Sequence, residues 1–216
     1  KRLNPLTLDC PKPLLKIGKD TLLSNTIIFL EKCGIKEVII NVHYLRDQII
    51  EYISKKNFNL NIIIVNEKEK ILDTGGGIFN SLKYFNKDFV CINPDTIWNL
   101  NYVKEFKKME NNFFLNKKKC NLLVVDKLKS FDRDLKGDFN IQNGLIVKKK
   151  ENDLKYIYTG LQIISPKIFS NINSEVFSIN AIWEKLIKKE ELFATESQNI
   201  FHHVSTLKIY KKLNIK

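Results

Sequence analysis

Apolar positions along this chain of 216 residues fall into two alternating patterns. From Asp20 to Cys33, Leu22, Leu23, Ile27, Ile28 and Leu30 recur at helical spacing, and Gly34 follows, a residue suited to the left-handed turn that ends a helix. Val38-Ile39-Ile40 is then apolar throughout and ends at Asn41, which predicts a buried strand. Leu45 to Ile53 predicts a second amphipathic helix, and Asn61 to Val65 a second strand. Gly77 to Tyr84 predicts a third helix and Phe89 to Ile92 a third strand. Strands without polar alternation, interleaved with helices, predict a parallel sheet covered on both faces.

The second half changes character. Asn121 to Val125 reads as a strand, and Phe139 to Lys148 as a hairpin turned at Asn143-Gly144, a dipeptide that tolerates positive φ. Tyr156 to Ile164 reads as a strand, Ile179 to Lys188 as a helix and Ile200 to Val204 as a short strand, with a helix from Thr206. No repeat and no linker interrupts the pattern. The expected fold is α/β, one domain over residues 1–216 with a mixed, mostly parallel central sheet.

Composition narrows the function classes. No apolar run approaches the roughly 18 residues of a membrane span. Cys10, Cys33, Cys91 and Cys120 form no CxxC pair and read as reduced thiols of a cytoplasmic protein. The formal net charge is +12, but the lysines are scattered, and the Ile- and Asn-rich composition matches an AT-rich coding bias. Nucleic acid is therefore not the expected partner, whereas a positive field suits any anionic small molecule.

Several segments could carry chemistry. Arg2 and Lys12 lie in a stretch stiffened by Pro5, Pro11 and Pro13, which suits either a bound polyphosphate or a solvated surface loop. Asp73-Thr74-Gly75-Gly76-Gly77 at a strand-to-helix junction would bare backbone N–H groups to a ligand, or simply form a tight turn. Asn93-Pro94-Asp95 follows a buried strand, where open α/β sheets bind ligands. Asp95 suits Mg²⁺ or a turn. Tyr158-Thr159-Gly160, Asn180 with Trp183, and Phe201-His202-His203 complete the set.

Arg2-Leu3-Asn4-Pro5-Leu6-Thr7 followed by Pro11-Lys12-Pro13 resembles the second half of the motif that opens the sugar-1-phosphate nucleotidyltransferases. That family's Gly-rich loop and the strand before it are missing from this sequence, so the resemblance implies a further N-terminal segment. It also implies a Rossmann-like three-layer sandwich. Leu72 to Ile78 resembles the Glu-Thr-Gly-Gly-Gly-Ile stretch of the muramate and mannose branch, with Asp73 for Glu. By that resemblance Thr74, Gly75, Gly76 and Gly77 lie against the nucleobase, with Asn93 also at the nucleotide. Arg2 and Lys12 hold phosphates, and Asp95 binds a catalytic Mg²⁺.

The same likeness assigns Thr159, Gly160 and Asn180 to the sugar, while Trp183, an aromatic on the expected helix, reads as a core residue. At the C-terminal end the family has an aromatic followed by Asp-(Val/Ile)-Gly-Thr. Here His203 stands for the metal-binding Asp and Ser205 for Gly. Imidazole is a poor Mg²⁺ ligand, so His203 serves either the metal or a phosphate.

The implied reaction joins an NTP to a sugar-1-phosphate and releases pyrophosphate, with Mg²⁺ as cofactor and no nucleic acid or membrane as partner, in a monomer or homodimer. Within the family the motifs point to UTP and N-acetylmuramate-1-phosphate, a step of cell-wall sugar recycling. Mannose-1-phosphate guanylyl transfer is the alternative, and a non-catalytic sugar-nucleotide-binding protein is the alternative from another class.

Overall fold

The computed structural model of the protein describes residues 3–67, 71–147 and 154–215. The chain enters through a four-residue helix α1 (Leu6–Asp9) and a small antiparallel pair, β1 (Lys16–Ile17) and β2 (Asp20–Thr21). Helix α2 (Leu22–Cys33) follows. Its first turn is capped by Thr21, whose hydroxyl accepts from the Ser24 N–H at 3.0 Å, and Gly34 closes it at φ 87°. Strand β3 (Glu37–Val42), helix α3 (Arg46–Ser54) and strand β4 (Asn61–Asn66) form a β-α-β unit whose strands pair in parallel.

Next come α4 (Asp73–Ser81), β5 (Phe89–Ile92), α5 (Asn101–Leu115) and β6 (Cys120–Asp126). The hairpin of β7 (Asn140–Gln142) and β8 (Leu145–Val147) turns at Asn143 and Gly144, both at positive φ as expected. The chain ends with β9 (Tyr156–Ile164), α6 (Asn180–Lys188), β10 (Leu192–Ser197) and α7 (Leu207–Asn214).

The central sheet has six strands in the order β5-β9-β6-β10-β8-β7. It is mixed and flanked by helices, as expected, but its pairings are more antiparallel than the apolar pattern implied. Among the described residues only β10 and β6 pair in parallel within it. The reason lies in β9, which arrives from a hairpin rather than a crossover helix and inserts antiparallel between β5 and β6. β5 and β6, joined through α5, still run in the same direction.

Two apolar layers sandwich this sheet. On one face Leu122, Val124 and Ile164 meet Ile78 of α4 and Ile182, Trp183 and Leu186 of α6. On the other, Leu123, Leu161 and Ile163 meet Phe29 and Leu30 of α2 and Tyr102, Phe106, Met109 and Phe113 of α5. The alternation of Leu122, Leu123 and Val124 is the period-2 pleat seen from both sides. Each fully buried large side chain contributes roughly 1.5–3 kcal/mol.

Helix α5 and strand β10 have no counterpart in the expected elements. The expected strand over Ile200 to Val204 reduces to isolated bridges at Phe201 and His203. β3 pairs only with β4, and β5 only with β9, among the described residues. A cavity of about 750 Å³ lies between these strands and is lined by residues of both.

Candidate active site

Asp95 lies three residues beyond β5, on a loop fixed from every side. The Asn93 N–H donates to the Gly160 carbonyl at 2.7 Å, the Thr96 hydroxyl to the Thr159 carbonyl at 2.7 Å, and the Trp98 indole to the Asn93 carbonyl at 3.2 Å. A second segment runs beside it. Thr96 and His203 form an antiparallel bridge, the Ile97 N–H donates to the His202 carbonyl, and the Val204 N–H donates to the Asp95 carbonyl, both at 2.9 Å. The aromatic face of Phe201 stacks on the His203 ring at a centroid distance of 5.7 Å.

This ladder sets His203 Nε2 3.1 Å from Asp95 Oδ2. Lys12 arrives from the other end of the chain, on a single helical turn between Pro11 and Pro13, and places Nζ 2.7 Å from the same oxygen. Burial alone would raise the Asp95 pKa. The His203 hydrogen bond and charge, with the Lys12 ammonium, outweigh it and hold the carboxyl well below the usual carboxylate range. A carboxylate is thus kept ionised between two basic side chains. Arg2, expected beside Lys12, lies outside the described residues.

Pro13 and Pro94, the sequence neighbours of Lys12 and Asp95, form part of the wall of the large cavity, together with Asn41, Glu67, Thr74, Gly77 and Asn93. Thr74, Gly77 and Asn93 line it, and Gly75 and Gly76 do not.

The glycine run also differs from the expected loop. It forms the first turns of α4, and the three glycines are buried. A Cβ on Gly75 would meet the Phe177 ring at 2.5 Å, and one on Gly76 the Glu175 carbonyl at 2.1 Å. The Gly76 N–H is already taken by the Phe177 carbonyl at 3.0 Å. Two of the three glycines thus serve close packing of a helix against the 175–177 loop rather than bared N–H groups. Asn41 fixes this helix from β3. Its amide donates to the Gly77 carbonyl at 2.8 Å and accepts from the Ser81 hydroxyl at 2.8 Å.

The expected sugar-side residues divide. Asn180 lies exposed at a small cavity of about 150 Å³ shared with Asp138, Phe139, Tyr158 and Trp183. Thr159 does not point to such a space. It is 1% exposed, and its hydroxyl donates to the Leu123 carbonyl at 2.8 Å. Gly160, at φ 94°, sits in a bulge of β9, where a Cβ would stand 2.9 Å from that of Asn93. Its lack of a side chain admits the Asp95 loop. Trp183 is a core residue whose indole donates to Gln162 Oε1 at 3.1 Å.

Asp138 was not among the expected residues. Its carboxylate accepts from the Tyr158 N–H at 2.9 Å, and its sequence signal was slight, a lone acid before the hairpin.

Residues 1–125 match the family model described as nucleotidyl transferase. The chain belongs to that family. An N-acetylmuramate alpha-1-phosphate uridylyltransferase of Caulobacter vibrioides is 24% identical over 94% of this chain and 86% of its own. A D-glycero-alpha-D-manno-heptose 1-phosphate guanylyltransferase of Campylobacter jejuni is 30% identical over 87% and 82%. The crystal structure of HddC from Yersinia pseudotuberculosis complexed with GMP-PN superposes with a TM-score of 0.79 at 25% identity, covering 99% of this chain and 93% of that one. These relatives make this nucleotidyltransferase one of the sugar-1-phosphate enzymes.

The site of the nucleotidyltransferase suits a divalent cation. Asp95 offers a hard oxygen held in the charged form, although here the same Oδ2 already accepts from Lys12 Nζ at 2.7 Å and lies at hydrogen-bond distance, 3.1 Å, from His203 Nε2. No cluster of three or more His, Cys, Asp or Glu surrounds it among the described residues. The remaining ligands of such an ion would be water and phosphate oxygens.

Proposed function

We propose that this nucleotidyltransferase joins UTP and N-acetylmuramate-1-phosphate, giving the UDP-sugar and pyrophosphate. The observation that carries the chemistry is the convergence of Lys12 and His203 on one oxygen of Asp95. A phosphate oxygen of the sugar phosphate forms a bond to the α-phosphorus as the bond to pyrophosphate breaks in line. A phosphate monoester is mostly ionised near pH 7, so the protein need not supply a base. Catalysis is then positioning and charge neutralisation.

Lys12 contributes a fixed ammonium to the phosphates, Thr74 and Gly77 support the base, and Asn180 meets the sugar. Asp95, with His203 beside it, would hold Mg²⁺, which supplies charge neutralisation on the phosphate oxygens when bound.

The choice of base and sugar rests on the extent of likeness to the Caulobacter enzyme and on the Thr74–Ile78 and Phe177–Asn180 segments. A second reading, GTP with a mannose- or heptose-1-phosphate, is supported by the Campylobacter relative and by the GMP-PN complex of the Yersinia protein. The test is pyrophosphate release from four NTPs, each with several sugar-1-phosphates and Mg²⁺. UTP with N-acetylmuramate-1-phosphate is expected to give the highest kcat/KM. A GTP preference would replace this reading by the second. Nucleotide binding without turnover on any pair would make the chain a sugar-nucleotide sensor.

A further inference from the structure

Asp132 is a buried carboxylate, 4% exposed, that the proposed chemistry does not use. Its Oδ2 accepts the hydroxyl proton of Ser205, and its Oδ1 accepts from the Asp134 N–H at 3.1 Å. Ser205 is itself buried and lies two residues beyond His203, and its N–H turns back to the His203 carbonyl at 2.9 Å. The segment that carries His203 is thus gripped on two sides. Asp95, Thr96 and Ile97 hold it through the backbone on one side. On the other, Ser130 bridges Phe201 in parallel and the Phe131 N–H donates to the Phe201 carbonyl at 2.9 Å. The Ser205–Asp132 bond closes the far end of this second clamp.

We propose that Asp132, acting through Ser205, is a positioning residue that fixes His203 against Asp95. The physical reason is the chemistry of residue 205. A glycine there would offer no side-chain donor, so the turn after His203 would be held by backbone alone. A serine offers a hydroxyl, and a buried carboxylate makes it a charge-assisted bond, stronger than a neutral one. The cost of burying the Asp132 charge is offset only while its two donors are present, so the pair acts as a unit. Residue 205 bears on residue 203 because one turn separates them. A loosened turn would let the imidazole swing off the carboxylate, and positioning errors of about 1 Å cost about 10²-fold in rate.

This inference rests on the proposed site, yet its test can be read without turnover. Long-range ¹H–¹⁵N spectra of the imidazoles, with His203→Gln to assign the signal, report whether His203 Nε2 bonds Asp95. Ser205→Ala and Asp132→Ala are expected to lose that signature, and Asp132→Asn, which keeps an acceptor oxygen, to retain it. Kinetically, Ser205→Ala and Asp132→Ala should each lower kcat at least tenfold with KM for the NTP within twofold, and Asp132→Asn should keep most of the activity that Asp132→Ala loses. An unchanged His203 signature in both Ser205→Ala and Asp132→Ala overturns the proposal. So does a fall in thermal stability with the signature intact, which would make the pair merely structural. Absence of turnover in the unaltered protein would count against the proposed function, and the imidazole spectra alone would then decide the role of Asp132.

Discussion

Gly160 and Asn93 touch backbone to backbone. The Asn93 N–H donates to the Gly160 carbonyl at 2.7 Å, and a Cβ on Gly160 would stand 2.9 Å from the Asn93 Cβ. This contact seats the loop bearing Asp95 on β9. Gly160→Ala must adopt φ near 94° and push on Asn93 at once. The strained backbone alone costs about 1–3 kcal/mol. The expected outcome is a melting temperature lowered by several degrees and a larger loss of turnover, because Asp95 moves with Asn93. Differential scanning calorimetry and pyrophosphate release check the two parts. Unchanged activity would detach the Gly160 contact from the site.

Asp95→Asn keeps the shape of the carboxylate and removes its charge. Lys12 and His203 then face a neutral amide, and a divalent cation loses its hard anionic oxygen. Metal-dependent turnover is expected to fall by about 10²–10³-fold with the far-UV circular dichroism spectrum unchanged. Near-normal turnover would remove Asp95 from the metal site. The same variant has a pH signature. The folded Asp95 carboxyl titrates well below its ordinary value of 3.8, so its stabilising contribution is fully present above pH 3.8 and is lost as pH falls through the depressed folded value. Denaturant unfolding of Asp95→Asn should therefore show a shallower loss of stability below about pH 4 than the unaltered chain.

His203→Asp places a second carboxylate beside the first. Two like charges at that distance repel, so the metal-free variant should melt lower than the unaltered protein. Carboxylate suits Mg²⁺ better than imidazole does, so saturating Mg²⁺ should raise its melting temperature by more than it raises that of the unaltered chain. An equal Mg²⁺ shift in both proteins would place residue 203 outside the metal's reach.

Gly76→Ala opposes two effects of known size. Alanine in a helix interior is favoured over glycine by about 1 kcal/mol. Here the added Cβ would lie 2.1 Å from the Glu175 carbonyl, an overlap with backbone that rotamer changes cannot relieve. Overpacking of this kind costs about 1–3 kcal/mol, so a net loss of stability is expected in urea unfolding. A stabilised variant would show that the 175–177 loop yields easily, and that α4 does not depend on it.

Local pattern determined most of the secondary structure. Strands β5 and β9 are where their apolar runs place them, and α2 ends at Gly34 because only a residue free of Cβ strain takes φ 87° without cost. The Asn143-Gly144 turn was likewise legible. Helix α5 was legible in principle. Tyr102, Phe106, Met109 and Phe113 hold a helical period, but Lys and Asn fill the outer face and the adjacent Phe114 and Leu115 blur the stripe. β10 carries Thr, Glu and Ser in a short run, which pattern alone reads as loop.

The candidate site divides along the same line. The residue types were legible because the chemistry of phosphate and metal limits them to cations and a hard carboxylate. The resemblance put Asp95 and His203 at one metal; that Lys12 converges on the same oxygen, and that backbone pairing between Asp95–Ile97 and His202–Val204 sets His203 there, was not legible, because these contacts span long sequence separations. The sequence marks Thr159 and the glycines as ligand contacts, whereas the structure gives the Thr159 hydroxyl to Leu123 and packs Gly75 and Gly76 against the 175–177 loop. Whether a hydroxyl serves a ligand or the Leu123 carbonyl, and whether a missing Cβ admits a ligand or Phe177, depends on which surface packs against it. Only the tertiary structure decides that.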